Sequence, residues 1–183
     1  MNTTRLATSA RLIAGSSVST RLRDDRPVII RAATLDDTGD VVAMHTRCSL
    51  ESVRRRYHSV PAMTGRFLSQ LLSTDITLVA QAPNRAIVAL GNLGRDADGS
   101  GELAVIVEDG WQRVGLGSGM LEHMVLMAHL TGYDDVHTVC VPGQRCFFGT
   151  LARFGPVQHE RSQDDETMRL SLGSIRDCRP VPA

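Results

Sequence analysis

The stretch that decides the fold is Glu102-Leu103-Ala104-Val105-Ile106-Val107-Glu108-Asp109-Gly110-Trp111-Gln112-Arg113-Val114-Gly115-Leu116-Gly117-Ser118-Gly119-Met120, with its continuation to Leu130. Leu103 to Val107 is a short, unbroken apolar run, which reads as a buried strand. Glu108 to Trp111 interrupts it with a polar break. Beyond the glycines, apolar residues fall at Met120, Leu121, Met124, Val125 and Ala128, the spacing of one helix face. Gly132 is placed to end that helix as a left-handed cap. The order is strand, glycine-rich loop, helix.

Glycines at a helix start have a physical use. Without Cβ atoms the backbone can approach a ligand closely. The first helical N–H groups have no partner inside the helix, and the dipole adds partial positive charge there. Together they suit a phosphate or pyrophosphate. Two familiar nucleotide loops do not fit. A P-loop needs a Gly-Lys-Ser/Thr run, and the chain has no lysine. A dinucleotide fingerprint needs glycine where Met120 stands and a loop that starts at the strand end.

The pattern that does fit is Gln-x-x-Gly-x-Gly, carried by Gln112, Gly115 and Gly117, five residues after the valine that ends the strand. It resembles the acyl-CoA-binding motif of the GNAT N-acetyltransferase superfamily, usually written Arg/Gln-x-x-Gly-x-Gly/Ala. The surrounding Ala104 to Gln112 looks most like the acetyltransferase domains of bacterial protein-lysine acetyltransferases. The resemblance covers roughly Val28 to Leu172.

Composition bounds the other readings. The 183 residues suit one domain with a sizeable core. Twenty Lys+Arg balance twenty Asp+Glu, so no bulk charge recruits nucleic acid or an anionic membrane. All the lysine-or-arginine cations are arginine, spread along the chain. The four cysteines (Cys48, Cys140, Cys146, Cys178) form no CxxC pair, so inert thiols in a reducing cytosol are expected, with no zinc and no disulfide. No apolar run approaches the ~18 residues of a membrane span. The expected location is cytoplasmic.

Along the chain, residues 1–27 are rich in Ser, Thr and Arg and read as a disordered leader. Val28-Ile29-Ile30 begins the domain proper, 28–172, and 173–183 reads as a loose tail. Thr34 and Asp37 resemble a capping box before a helix whose apolar face is Val41, Met44, His45 and Cys48. His45 reads as a core or boundary histidine. Ser49 to Tyr57 reads as a second short helix and resembles the Ser-Pro-Glu-Ser segment of the same acetyltransferase group. Arg54, Arg55 and Arg56 read as a solvated face, with an anion partner as the alternative. Phe67, Leu68, Leu71 and Leu72 suggest a third helix. Strands are expected at 76–82, 86–93, 102–107, 135–141 and 167–172, with a last helix over 144–154. This is a mixed α/β domain with helices on both faces of one sheet. The resemblance implies the GNAT acyl-CoA N-acyltransferase fold, its mostly antiparallel central sheet carrying one splayed pair of strands.

The resemblance also implies the chemistry. Acetyl-CoA would be the co-substrate, held by backbone groups of Val105, Ile106 and Val107 and by Gln112, Arg113, Val114, Gly115, Leu116, Gly117, Ser118 and Gly119, with Gln144 where the family usually has asparagine. No metal is implied. The amine acceptor, a protein lysine or a small amine, must lose a proton before it attacks, because a free lysine titrates near 10.4. Glu102 matches the family's general base. A backbone N–H near Val105 would serve the oxyanion. The family's tyrosine acid is replaced by Leu151. A CoA-binding module without catalysis is the alternative, nucleic acid is not an expected partner, and a homodimer is left open.

Overall fold

The computed structural model describes residues 15–141 and 147–173. Eight strands form one sheet: β1 (Val18–Arg21), β2 (Pro27–Ala32), β3 (Ile76–Gln81), β4 (Ile87–Arg95), β5 (Gly101–Val107), β6 (Asp135–Cys140), β7 (Val157–Arg161) and β8 (Glu166–Ser171). Their order is β1-β2-β3-β4-β5-β6-β8-β7. Every neighbouring pair is antiparallel except β5 with β6. The helices are α1 (Thr38–Arg47), α2 (Leu50–Tyr57), α3 (Gly65–Leu72), α4 (Leu116–Leu130) and the single turn α5 (Phe148–Leu151).

The alternation of side chains along a strand divides the core in two. Leu103 and Val105 of β5 pack with Leu116, Met120, Leu121 and Met124 of α4 on one face. Ile106 packs with Val41, Met44, Val53 and Leu68, from α1, α2 and α3, on the other. Gly91 lets α4 lie close to the sheet: a Cβ there would stand 3.0 Å from the Met124 side chain. The end of α4 is fixed as its sequence suggests. Gly132 has φ +83°, Tyr133 N–H donates to Ala128 O and Gly132 N–H to His129 O, the paired bonds of a Schellman cap. Among the described residues, no helix is long and apolar enough to cross a membrane.

Three expectations need correction. The leader was expected to run to residue 27, but Val18–Arg21 is a strand paired with Pro27–Ile30. Its Ser-Thr-Arg composition hid it, because an edge strand needs only one half-covered face. Strand β7 was not expected at all. It is polar and mostly exposed, and its partner β8, not its own sequence, makes it a strand. The last helix, expected over 144–154, is helical only from Phe148 to Leu151 where it is described, and Gly149 lies inside it. The remaining strand boundaries agree within two residues. Residues 174–183 of the expected tail lie outside the described residues.

Candidate active site

The parallel pair β5–β6 is joined only at Gly101↔Val136 and Glu102↔His137. Beyond these, β5 continues to Val107 and β6 to Cys140 without pairing, so the strands part. The β4–β5 register shows which backbone groups face the opening. Val107 stands opposite Ala89, and Glu108 N–H donates to Val88 O at 2.9 Å. That makes Ile106, Ala104 and Glu102 the residues whose amides bond to β4. The N–H and C=O of Leu103, Val105 and Val107 therefore turn toward β6. Ile106 keeps its backbone on Leu90 and its side chain in the core, so it offers nothing to the gap.

Below the gap, the connection from β5 to α4 is braced rather than loose. Gln112 Nε2 lies 2.9 Å from Val107 O, 2.9 Å from Ser52 Oγ and 3.0 Å from Asp109 Oδ1. Asp109 in turn accepts from Ser49 N–H, Ser49 Oγ and Ser52 Oγ, at 2.5, 3.1 and 2.6 Å. Burial would raise the Asp109 pKa, but the bonds from Ser52, Ser49 and Gln112 outweigh it and hold the carboxyl below its ordinary range. The N-cap serine of α2 thus locks this helix to the loop. The amide nitrogen of Gln112 is thus engaged in the brace.

At the start of α4, Gly115 adopts φ +94° as the N-cap, a conformation that excludes most side chains. The first helical bond is Gly119 N–H to Gly115 O, which leaves the N–H groups of Leu116, Gly117 and Ser118 free of helical partners. A Cβ at Gly117 would meet only Val107 at 3.4 Å and Phe147 at 3.9 Å. Arg113 is exposed beside the loop with φ +62°. A second arginine comes from the β1–β2 turn. Arg23 N–H donates to Val114 O at 3.1 Å, and its side chain covers Gly115. Arg26 of the same turn stacks on Trp111, 4.1 Å from the ring centre.

A cleft of about 630 Å³ runs from this loop to the mouth of the splay. Around the glycine-rich start of α4 it meets Arg23, Arg113, Gly115, Gly117, Ser118 and Phe147; α2 and its cap contribute Arg55, Arg56 and His58, β5 contributes Glu102, and β6 contributes Thr138 and Cys140. Val105 and Val107 line the middle. Glu102 is exposed to the cleft. Arg56 lies deep, with Nη2 donating to Asn92 Oδ1 at 3.0 Å and its guanidinium 4.6 Å from the Tyr57 ring centre. Burial pulls the Arg56 pKa down, opposed by Tyr57 and Glu102. Tyr57 is not a free acid. Its hydroxyl sits 2.8 Å from His45 Nε2, while His45 Nδ1 is 2.7 Å from Val41 O. Nδ1 therefore carries the proton and Nε2 accepts from the tyrosine. Burial keeps His45 neutral and pushes Tyr57 up to about 12. His58, the left-handed cap of α2, lies 2.9 Å from Asp165 in the β7–β8 turn.

No protein-family model matches the chain, and no curated protein does. Solved structures do. The GNAT domain of S. lividans PAT superposes with a TM-score of 0.74 at 20% identity, over 85% of this chain and 96% of that one. The chain has the GNAT fold. An acetyltransferase of the GNAT family from Streptococcus pneumoniae gives 0.61 at 20% identity, over 79% and 98%. A cAMP-binding acyltransferase from Mycobacterium smegmatis gives 0.59 at 19% identity; 95% of this chain covers 51% of it.

Within the GNAT fold, the sequence-expected residues divide cleanly. Glu102, Val105, Val107, Gln112, Arg113, Gly115, Gly117 and Ser118 line the one cleft. Leu116 buries its side chain in the core and can offer only its N–H. Val114 and Gly119 face a smaller neighbouring hollow, beside Arg21 and Arg153. Gln144 lies outside the described residues. Leu151, which the sequence resemblance sets where the family has its tyrosine, is wholly buried. Sequence reading missed Arg23, because it lay in the supposed leader, and did not single out Arg56 among its neighbours. Cys48 is half-buried, its thiol pushed up to about 11, foremost by burial. Among the described residues, no group of three or more His, Cys, Asp or Glu could hold a metal ion.

Proposed function

We propose that the chain is an N-acetyltransferase that uses acetyl-CoA and a primary amine, with Glu102 as general base. The observation that carries this reading is that one continuous cleft joins the glycine-rich start of α4 to Glu102 through the parted strands. The residues present fit the co-substrate. Unpartnered N–H groups at Leu116, Gly117 and Ser118, with Arg23 and Arg113 beside them, suit its phosphates. The backbone of Val105 and Val107 suits an extended amide-bearing arm along the gap. Acetyl-CoA would supply the acetyl group as a thioester. Glu102 would take the proton that the ammonium must lose before the nitrogen can attack. The Val105 N–H faces the gap, where charge would develop on oxygen.

A second reading, a CoA-binding module that does no chemistry, draws on Leu151. A leucine side chain has no proton to give a leaving thiolate, and this one is wholly buried. One experiment separates the two. Purified protein is titrated with CoA and then incubated with acetyl-CoA and a panel of amines while free thiol is followed. Saturable CoA binding that falls about a hundredfold or more in Gly117→Glu, where a carboxylate would oppose the phosphates, supports the site. Thiol release dependent on an amine supports the enzyme. Unchanged affinity in a folded Gly117→Glu protein would sink the assignment. Binding without release on any amine would leave the module.

A further inference from the structure

Resting on the acetyltransferase reading, we propose that the acceptor is an amine carrying a carboxylate close to it, and that Arg56 is the residue that holds this carboxylate. The three consecutive arginines of α2 meet different fates. Arg54 is exposed, and Arg55 pairs with Glu51 one turn back along the helix. Arg56 turns inward to the wall of the cleft at the Glu102 end. There, half-buried and with its Nε sealed from solvent, it lacks what an enclosed guanidinium normally has. Among the described residues no carboxylate lies within ion-pair distance of it, its Nε is buried with no hydrogen-bond partner, and its one side-chain hydrogen bond is to the neutral oxygen of Asn92. Asn92 is itself held by Leu71 O, Thr74 Oγ1 and Thr77 Oγ1, so it is a fixed prop and not a counter-ion. A cation taken out of water without a partner is costly, and proteins retain it where a ligand supplies the missing charge. Nη1 is without a partner too, and it is not sealed from solvent as Nε is.

The geometry around it narrows the ligand class. The Tyr57 ring flanks the guanidinium and fixes its plane, which leaves a planar fork suited to a carboxylate. Arg55, His58 and Thr138 also line the cleft, and among the described residues Glu102 is the single carboxylate in its lining. A zwitterion matches that arrangement. Its ammonium would lie toward Glu102 and its carboxylate toward Arg56, whereas an amine without an anion would leave the Arg56 guanidinium with no ion-pair partner.

The test compares matched acceptors: free amino acids against their amides, and lysine peptides with Asp or Glu beside the lysine against the Asn or Gln forms. Each is assayed by thiol release and, separately, by calorimetric binding to the CoA-loaded protein. The carboxylate member of at least one pair is expected to be preferred by about a hundredfold in kcat/KM, the size of one lost charge-assisted pair. The pair that shows it distinguishes a free amino acid from an acidic peptide. Arg56→Met should erase the preference with CoA affinity unchanged, and Arg56→Lys should keep part of it. Equal treatment of every pair by the wild type overturns the inference while leaving the acetyltransferase standing. So does a loss in folded Arg56→Met that is the same for both members, which would mark Arg56 as acting on the thioester. If no amine is turned over, the calorimetric arm decides alone: carboxylate binding that vanishes in Arg56→Met upholds the site, and its absence in the wild type removes it.

Discussion

At the scale of single residues, Glu102 is the side chain on which the proposed chemistry turns. Its position on β5, opposite Gly94 on one side and His137 on the other, puts it at the last paired rung before the strands part. Glu102→Gln keeps size and hydrogen bonding and removes the proton acceptor. We expect CoA affinity to stay the same and turnover at neutral pH to fall about 10²–10⁴-fold. The deficit should shrink as pH rises toward the amine's own pKa, since solvent then supplies the neutral nucleophile. A pH–rate profile on both proteins checks this, and a Glu102→Gln enzyme with full activity at neutral pH would remove the residue from the mechanism. Glu102 was legible because it sits ten residues before Gln112 on a recognisable strand. Arg56 was not. Three arginines in a row look alike, and only the packing of α2 against the sheet decides which one turns inward.

At the scale of elements, the join between α2 and the loop before α4 centres on one carboxylate, with a direct bond from Gln112 to Ser52 beside it. Asp109 collects bonds from Ser49 and Ser52 and takes one more from Gln112. Its pKa is depressed on folding, so the sign is that of an ordinary stabilised carboxylate. The contribution is present above about pH 4, the unfolded value, and is lost as pH falls through the lower folded value. Asp109→Ala frees the loop. Because the carboxylate is exposed, its charge is screened, and a loss of about 1 kcal/mol, or fivefold in CoA affinity, is the expected scale. Calorimetric titration of the variant measures it, and an unchanged affinity would show that the loop holds its shape without the brace. The helix start and the strand before it could be read from the sequence, since the apolar period and the glycines are local signals. The brace could not, because its partners lie some sixty positions apart, and neither could β1 and β7, whose pairing depends on distant strands.

At the scale of the whole molecule, the sheet is two leaves. One runs from β1 to β5, the other holds β6, β8 and β7, and the ladder between them has two rungs. A sheet that is continuous everywhere else unfolds as one unit; a sheet with a seam can open along it. We expect amide hydrogens of β6 and β8 to exchange faster than those of β3 and β4 in the free protein, and saturating CoA to slow them. At a hundred times its dissociation constant the ligand should add about 2.7 kcal/mol to global stability. Exchange mass spectrometry with and without CoA checks both, and equal protection of the two leaves in the free protein would show that the seam is mechanically sealed by α4. The seam also sets an order of failure. Bound CoA would act as a rivet between the leaves, so the protein's resistance to proteolysis would follow the supply of CoA. When that supply falls, the first cuts should come in the leaf that ends the chain.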